Sequence, residues 1–530
     1  MQLYPTRNAT HVAAAAVAVM GAGLLTVSPA VLAWGGAIVV GLAVARSVTL
    51  LSVARVRAAG FEMVWREKGQ SRRVARGEVV ELAAEVRNRD TRAARYVALR
   101  AVAAPDLDIE ISPSSGEVPA GGRLSVTVRV VAPRVGRHGI FGLSLEVRGS
   151  PGLFEIPLTF ANPFGLEVMP APYRVIARGA RGGRSRTITD AGRPGALSGD
   201  GYELREIREH RAGDPLKRVA WKASARRGKL MVRDHEQEER DVIWVVVDAS
   251  VELWAGVPGR APLDHSIDEA AAVIEAHLSR GDMVGLVVCG ARQLVKLLPG
   301  RGPTHTTDLL AALAHGTGTL DSDRSGLDPG DVAARVAEHL RPLEGNGGST
   351  RDRTDLARRA LALSDRAPFS PLPVHAPDPV DRVLRGYLSA FGIPSPPRLE
   401  PERSKTDHAI AEALGEILTS KPRASIVYVW SPAPDPGKRP EIVEALSHAS
   451  RRRTEVRWVR LTLDDGFETE RNIVSRAVNA AVSVRARTAE TVGERALRHL
   501  GVTSLRVRPR TLSKSVAAPS HPPPRDPERR

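Results

Sequence analysis

Between residues 12 and 45 the chain is almost wholly apolar. Residues 12–27 read VAAAAVAVMGAGLLTV and residues 30–45 read AVLAWGGAIVVGLAVA, with only Ser28-Pro29 between them. Each run approaches the ~20 residues that a helix needs to cross a hydrocarbon core. Joined by a dipeptide, they predict a tight hairpin, and residues 1–57 are read as two transmembrane helices. Arg46 ends the second run, where a long cationic side chain reaches the interface. Arg7 precedes the hairpin, Arg55, Arg57, Arg66 and Lys68 follow it, and the turn carries no charge. The positive-inside rule then puts both ends, and the bulk of the chain, on the cytoplasmic side of the inner (cytoplasmic) membrane. A rival reading takes Arg7, the first run and Val31-Leu32-Ala33 as a cleavable signal peptide.

The remaining length needs several cores; 530 residues predict about two to four domains. Lys plus Arg number 76 against 60 Asp plus Glu, a net charge of +16. That excess attracts acidic partners, although the basic residues are scattered among acids as on an ordinary solvated surface. A single cysteine, Cys289, rules out a disulfide within the chain and a CxxC zinc site. It ends the apolar run Met283–Cys289 and is expected as a buried structural thiol.

Residues 60–175 alternate. In Leu124–Val131, Leu124, Val126, Val128 and Val130 face one way and Ser125, Thr127 and Arg129 the other. Val79–Arg87 and Leu143–Val147 behave similarly, and Gly and Pro punctuate the gaps. Short alternating strands at even spacing predict a β-sandwich, without acid or histidine clusters of catalytic spacing.

Residues 199–300 change character. Eleven of residues 205–240 are Lys or Arg, interleaved with acids. Val242–Val247 (VIWVVV) is then apolar without alternation, as in a strand covered on both faces. Asp264–Arg280 follows as an amphipathic helix with Ile267, Ala271, Ile274 and Leu278 on one face, and Met283–Cys289 as a second buried strand. Strand–helix–strand predicts a right-handed crossover in a doubly wound α/β sheet.

The stretch Arg211-Ala-Gly-Asp-Pro-Leu-Lys-Arg-Val-Ala-Trp221-Lys-Ala-Ser-Ala-Arg226, then Leu230, Val232 and a strand ending Asp248-x-Ser250, closely resembles the domain of unknown function fifty-eight family. So does the turn Asn162-Pro163-Phe164-Gly165-Leu166. The likeness covers about residues 10–315 and 403–462. It implies a von Willebrand factor A-like domain at 199–315 and 403–508, behind two membrane helices and a sandwich, and a MoxR-type AAA+ ATPase as partner. Asp214, Lys217, Arg218, Trp221, Lys222, Arg226 and Arg227 are the candidate partner-binding residues, with Trp221 expected as a buried anchor.

A von Willebrand factor A metal site uses Asp-x-Ser-x-Ser, a Thr from a later loop and an Asp after a later strand; such hard oxygens suit Mg²⁺. Here Asp248 and Ser250 are in place, Glu252 replaces the second Ser, and Thr306 or Thr307 is the candidate Thr. Ser431-Pro432 follows the strand Ala424–Trp430 where the second Asp belongs. With two of five ligands altered, the reading is a degenerate site without a bound cofactor, Mg²⁺ being the ion that an intact set would take. Residues 179–201 lack phosphate-loop spacing.

Residues 316–402, rich in Gly, Asp, Arg and Pro, read as an insertion, partly disordered, with helical patches at Asp331–Leu340, Thr354–Ser364 and Asp381–Phe391. The α/β alternation resumes at Asp407–Leu418, and two helices, Asn472–Val482 and Glu490–Leu500, close the domain. Residues 509–530 read as a disordered basic tail. The expected function is that of a membrane-anchored, non-enzymatic interaction protein acting with the ATPase and other protein subunits in assembly or maturation of complexes. The alternative, a basic membrane-associated nucleic-acid-binding protein, rests on the charge and on Arg clusters at 451–453 and 506–510; 4% aromatic residues and the lack of a reader motif oppose it. A hydrolase built on Asp248, Ser250 and His265 or His305 has no nucleophile elbow to support it.

Overall fold

In the computed structural model, residues 3–148, 152–171, 186–212, 214–254, 258–317, 327–344, 352–374, 376–394, 403–452, 454–461 and 473–506 are described. The apolar N-terminus forms α1 (Arg7–Leu25) and α2 (Pro29–Gly60). Thr6 caps α1 by accepting from Ala9 N, and Pro29 opens α2, where its missing N–H costs nothing. The helices pack closely because small residues face the contact. A Cβ on Gly35 would stand 3.0 Å from Met20 N, and one on Gly23 2.8 Å from Leu32 N. Stretches of 19 and 24 residues, Arg7–Leu25 and Pro29–Ser52, are long and apolar enough to cross a membrane. Both ends of the hairpin return to one body: β1 (Tyr4–Pro5) pairs with a strand of the sandwich, and Arg55 near the end of α2 holds Asp90 at 2.9 Å.

That body contains β2 (Phe61–Trp65), β3 (Ser71–Ala75), β4 (Val79–Asn88), β5 (Ala94–Ala103), β6 (Asp108–Ser112), β7 (Gly116–Val118), β8 (Arg123–Val131), β9 (Gly136–Arg148), β10 (Phe154–Phe160) and β11 (Phe164–Met169). One sheet runs β2-β4-β8-β6; the other runs β1-β10-β9-β11-β3, with β5 and β7 joined through β9. Their inner faces share a core in which Val126, Val128 and Val130 of β8 meet Leu143, Leu145 and Ile156 of the opposite sheet. The alternation in the sequence is thus the alternation of core and solvent. Asn162, before β11, accepts from the Trp65 indole N–H at 2.8 Å and donates to Met63 O at 3.1 Å, closing the sandwich.

The chain then makes a long antiparallel ribbon from β12 (Arg186–Glu209) and the first half of β13 (Met231–Asp248), with α3 (Trp221–Arg227) at its tip. The second half of β13 enters a sheet with α4 (Pro262–Ser279), β14 (Met283–Cys289), β15 (Gln293–Gly300), α5 (Pro303–Thr317) and, after the insertion, α9 (Arg403–Thr419), β16 (Ile426–Ser431), α10 (Pro440–Arg451), β17 (Glu455–Arg460), α11 (Ile473–His499) and β18 (Thr503–Arg506). The order is β15-β14-β13-β16-β17-β18, parallel except for β15. In β13, Ile243, Val245 and Val247 face a core with α4 and α5, while Val242, Trp244 and Val246 face one with α9 and α10. The unbroken apolar run follows from that double burial. The two closing helices expected at 472–500 are one continuous α11. The expected tail, 509–530, lies outside the described residues.

Helices stand at the three helical patches expected in the insertion. Its described residues form α6 (Pro329–Glu344), α7 (Arg353–Ala362) and α8 (Pro379–Ala390) around their own core of Val336, Leu340, Leu356, Leu384 and Leu388. This unit docks on the sandwich. Gly139 N donates to Gly392 O at 3.2 Å, Arg137 donates to Ser370 O at 2.6 Å, and Phe141 joins the insertion's core.

Sandwich and α/β domain are joined by a deeply buried ion pair. The Arg76 guanidinium meets the Asp268 carboxylate of α4 with both side chains essentially inaccessible. Arg76 also donates to Pro133 O and Gly259 O at 3.2 Å, and Ala171 N donates to Asp268 at 3.1 Å. Asp268→Ala leaves a buried charge alone and should cost about 3–5 kcal/mol, whereas Arg76→Met with Asp268→Leu should recover most of it. Denaturant midpoints of the detergent-solubilised chain measure both, and equal losses in the two variants would contradict the account. A second contact joins His315 of α5 to Glu167 of β11 at 3.2 Å. That hydrogen bond, then Arg73, lowers the Glu167 carboxyl to about 2. Its stabilising contribution is therefore complete above the ordinary carboxyl range and lost as pH falls from about 4.5 towards 2. The acid unfolding profile of Glu167→Gln should lack that component.

Candidate functional site

In a doubly wound sheet the strand order reverses at one point, and the crevice outside the carboxyl ends there is where sites form. Here the reversal lies between β13 and β16, whose last residues are Asp248 and Ser431. Both are fully buried. Asp248 Oδ1 accepts from Ser250 N at 3.0 Å, and Oδ2 accepts from the Ser431 hydroxyl at 2.7 Å. Ser431 Oγ accepts from Arg439 Nη2 at 3.0 Å, and Arg439 Nε donates to Asp407 at 2.9 Å. Arg439 also donates to Pro432 O at 2.6 Å, and the Trp458 indole N–H to Ser431 O at 3.0 Å. The switch point is thus a closed polar chain, Asp248–Ser431–Arg439–Asp407, with one cation between two carboxylates.

The expected metal ligands are not brought together. Asp248 and Ser250 lie at this edge, and Glu252 sits just beyond in a 3₁₀ turn, Val251–Trp254. Thr306 does not join them. Strand β15 runs antiparallel to β14, pairing Val284 with Gly300, so the chain is carried back to the amino edge before α5 begins. His305 hydrogen-bonds Val284 O at 2.8 Å, whereas Asp248 pairs with Cys289 five residues further along β14. At ~3.3 Å per residue that separation is about 17 Å. Thr306 and Thr307 instead turn their hydroxyls onto Gly302 O and Pro303 O. The same geometry separates His305 from Asp248 and removes it from any shared catalytic arrangement. Among the described residues, no group of three or more His, Cys, Asp and Glu side chains is placed to hold a metal ion. The residues present do not fit an octahedral Mg²⁺ shell. Cys289 is fully buried, and burial, followed by the charge of Asp248, pushes its thiol up.

The partner-binding candidates gather at the tip of the ribbon. Asp214 is bound internally: Arg208 clasps it at 2.7 and 2.9 Å and Arg211 N donates at 2.7 Å, holding its carboxyl well below the usual range. Lys217 and Arg218 sit on a 3₁₀ turn, Leu216–Arg218, and Trp221, Lys222, Arg226 and Arg227 on α3. Trp221 is not a buried anchor. It is 67% exposed, and Leu216 and Leu230 of the same ribbon tip are also exposed, at 68% and 47%. Val219, Ala220, Met231 and Val232 fill the interior instead, and Ser224 ties α3 to the ribbon through Ala220 O and Met231 N. Sequence reasoning missed the exposed apolar side chains of the tip and the roles of Arg439 and Asp407. Only the Ser431-Pro432 substitution pointed towards the latter.

Since both oxygens of Asp248 hold internal donors, and Mg²⁺ gives up its own water reluctantly, titration of the solubilised chain with Mg²⁺ or Mn²⁺ should produce no saturable heat in the micromolar range. Micromolar binding that disappears in Asp248→Ala would overturn this.

Residues 206–341 match the family model described as "Protein of unknown function DUF58". Among curated proteins, the uncharacterized protein Rv1480 of Mycobacterium tuberculosis is 26% identical over 153 residues, 29% of this chain and 47% of that protein. An uncharacterized protein of Mycobacterium bovis, Mb1516, matches to the same extent. The chain thus spans about half the length of the curated relatives it matches. Among solved structures, a PapD-like domain of human CEP192 is 17% identical with a TM-score of 0.17, over 21% of this chain and 87% of that domain. Native alpha-2-macroglobulin from Escherichia coli is 12% identical with a TM-score of 0.18, over 83% and 66%. Scores this low carry no argument. Residues 206–341, from the ribbon through α5 and into α6, are thus similar to the DUF58 family.

Proposed function

We propose that the protein is a membrane-anchored interaction module whose ribbon tip docks on a partner protein. The observation that carries this reading is the exposure of Trp221 and Leu216 among Lys217, Arg218, Lys222, Arg226 and Arg227. A large aromatic held in solvent on a segment that also carries cations offers the elements of a binding hot spot: an apolar anchor and polar side chains for its rim. The hydrogen bonds of Asp214 and Ser224 hold the tip in shape before any partner arrives, which lowers the ordering cost of docking.

The hairpin anchors the module, with its bulk on the cytoplasmic side of the inner membrane. The α/β sheet serves as a von Willebrand factor A-like scaffold, with the closed chain at Asp248 in place of metal-dependent capture. A MoxR-type AAA+ ATPase is the partner that the family resemblance implies, and assembly or maturation of protein complexes is the process. We read the protein as non-catalytic. The cations of the tip would also attract nucleic acid, but that mode leaves Leu216 and Trp221 without a role and would weaken steeply with salt.

The detergent-solubilised chain should capture its partner from a membrane extract. Trp221→Ala or Leu216→Ala should reduce capture about 30-fold, the loss of a ~2 kcal/mol hot spot, with an unchanged melting temperature. Undiminished capture by both variants, or capture of nucleic acid alone, would refute the reading.

A further inference from the structure

We propose that the end of the sandwich at the base of the hairpin binds anionic phospholipid headgroups, through Arg7, Arg92 and Arg95. The inference rests on the reading of the hairpin as a membrane anchor. The apolar stretch of α2 ends at Ser52, and Arg55 stands about 5 Å further along the helix. That is the level of the headgroup layer, about 5–8 Å deep on each side of the hydrocarbon. The sandwich follows directly: Leu50, still within the apolar stretch, packs against the sandwich core, as does Leu3 ahead of α1. The β4–β5 loop is fixed at the same level. Asp90 holds Arg55 at 2.9 Å, and Arg89 N donates to Gly60 O at 3.1 Å. The β7–β8 loop joins it, with Gly121 N donating to Asp90 O at 2.8 Å and Asn88 N to Gly122 O at 3.0 Å. The start of α1 lies at this end too, where Thr6 N donates to Leu153 O at 2.9 Å.

Some arginines at this end are engaged within the protein: Arg55 by Asp90, Arg89 by Glu62 and Arg123 by Glu85. Arg7, Arg92 and Arg95 are exposed, and among the described residues no carboxylate lies within ion-pair distance of them. Arg95 stands opposite Glu117 in the β5–β7 ladder without pairing with it. Guanidinium groups at headgroup level match lipid phosphate, which they bind bidentately. Tyr4 is 50% exposed near Arg7, and an amphipathic ring suits the same depth. The cations that orient a hairpin during insertion lie within about 15–20 residues of its ends. Arg92 and Arg95 lie well outside that window and come back to the bilayer only through the fold of β4 and β5, so insertion does not account for them. Arg66 shows the reverse. It is close to α2 in sequence, but β2 runs away from this end, pairing Phe61 with Asn88 and Trp65 with Ala84, and carries Arg66 to the far side of the sandwich.

The test uses the full chain reconstituted in lipid nanodiscs, with bimane attached at the exposed position of Ala93→Cys. The native thiol, Cys289, is fully buried and does not compete for the label. Phosphatidylglycerol and phosphatidylcholine, each carrying the same nitroxide on an acyl chain, are compared as quenchers. The association of phosphatidylglycerol, drawn from the quenching curves, should exceed that of phosphatidylcholine about fivefold or more, the effect of one or more cations near the surface. The preference should fade in about 1 M salt, where the screening length is ~3 Å. Arg92→Gln combined with Arg95→Gln should remove it, and Arg92→Lys combined with Arg95→Lys should keep it. Arg66→Gln, at the far end of the sandwich, should leave it unchanged. Equal quenching by the two lipids, or a preference that survives both glutamines, would overturn the proposal and leave the anchor standing. A chain that does not enter nanodiscs would overturn the anchor and this surface together.

Discussion

Everything beyond the sandwich depends on β13 being buried on both faces. Six consecutive apolar side chains, Val242–Val247, project alternately up and down and are all essentially inaccessible. A strand in that position cannot be an edge and cannot have a solvent face. It requires a neighbour on each side and a helical layer above and below. Strands β14 and β16 supply the first, α4–α5 and α9–α10 the second. The same strand leads to both regions described above. Its amino-terminal half leaves the sheet as the ribbon with its cationic tip, and its carboxyl end places Asp248 at the switch point. One strand therefore links the exposed ribbon tip to the buried polar chain at the switch point.

The three bodies past the membrane hairpin are joined by different means. Sandwich and α/β domain share a desolvated Arg76–Asp268 pair, further fastened by the carbonyls of Pro133 and Gly259. Such a pair is costly to assemble and costlier to break, so it specifies one docking geometry. The insertion meets the sandwich instead through Gly139, Phe141 and Arg137, with an apolar cleft left between them.

At the switch point the chemistry follows from one substitution. An acid at position 431 would set two carboxylates side by side and call for a cation. Ser431 instead gives a hydroxyl that donates to Asp248 and accepts from Arg439, so a side-chain cation two links away balances the charge. The arrangement is satisfied internally and serves to hold β13 and β16 in register at their ends. The docking surface proposed above lies instead at the ribbon tip, where Trp221 is exposed.

Local pattern sufficed for much of the architecture. The hairpin was readable because uninterrupted apolar runs of that length have few alternatives, and β8 because its period of two matches a strand with one wet face. The central strand and the helices of the insertion were readable for related reasons of period and run length. Thr306 was misplaced because the sequence shows where β15 lies but not that it runs back along β14 to the amino edge. Trp221 was misassigned because α3 has only seven residues, too few for a period to mark an inner face. Arg76 and Asp268 are 192 residues apart, and Asp407 and Arg439 are 32. Composition and period determine which segments must be buried and in what form. Which charges meet once they are buried was decided only by the tertiary structure, because a desolvated ion pair depends on where two separately specified elements come to rest against each other.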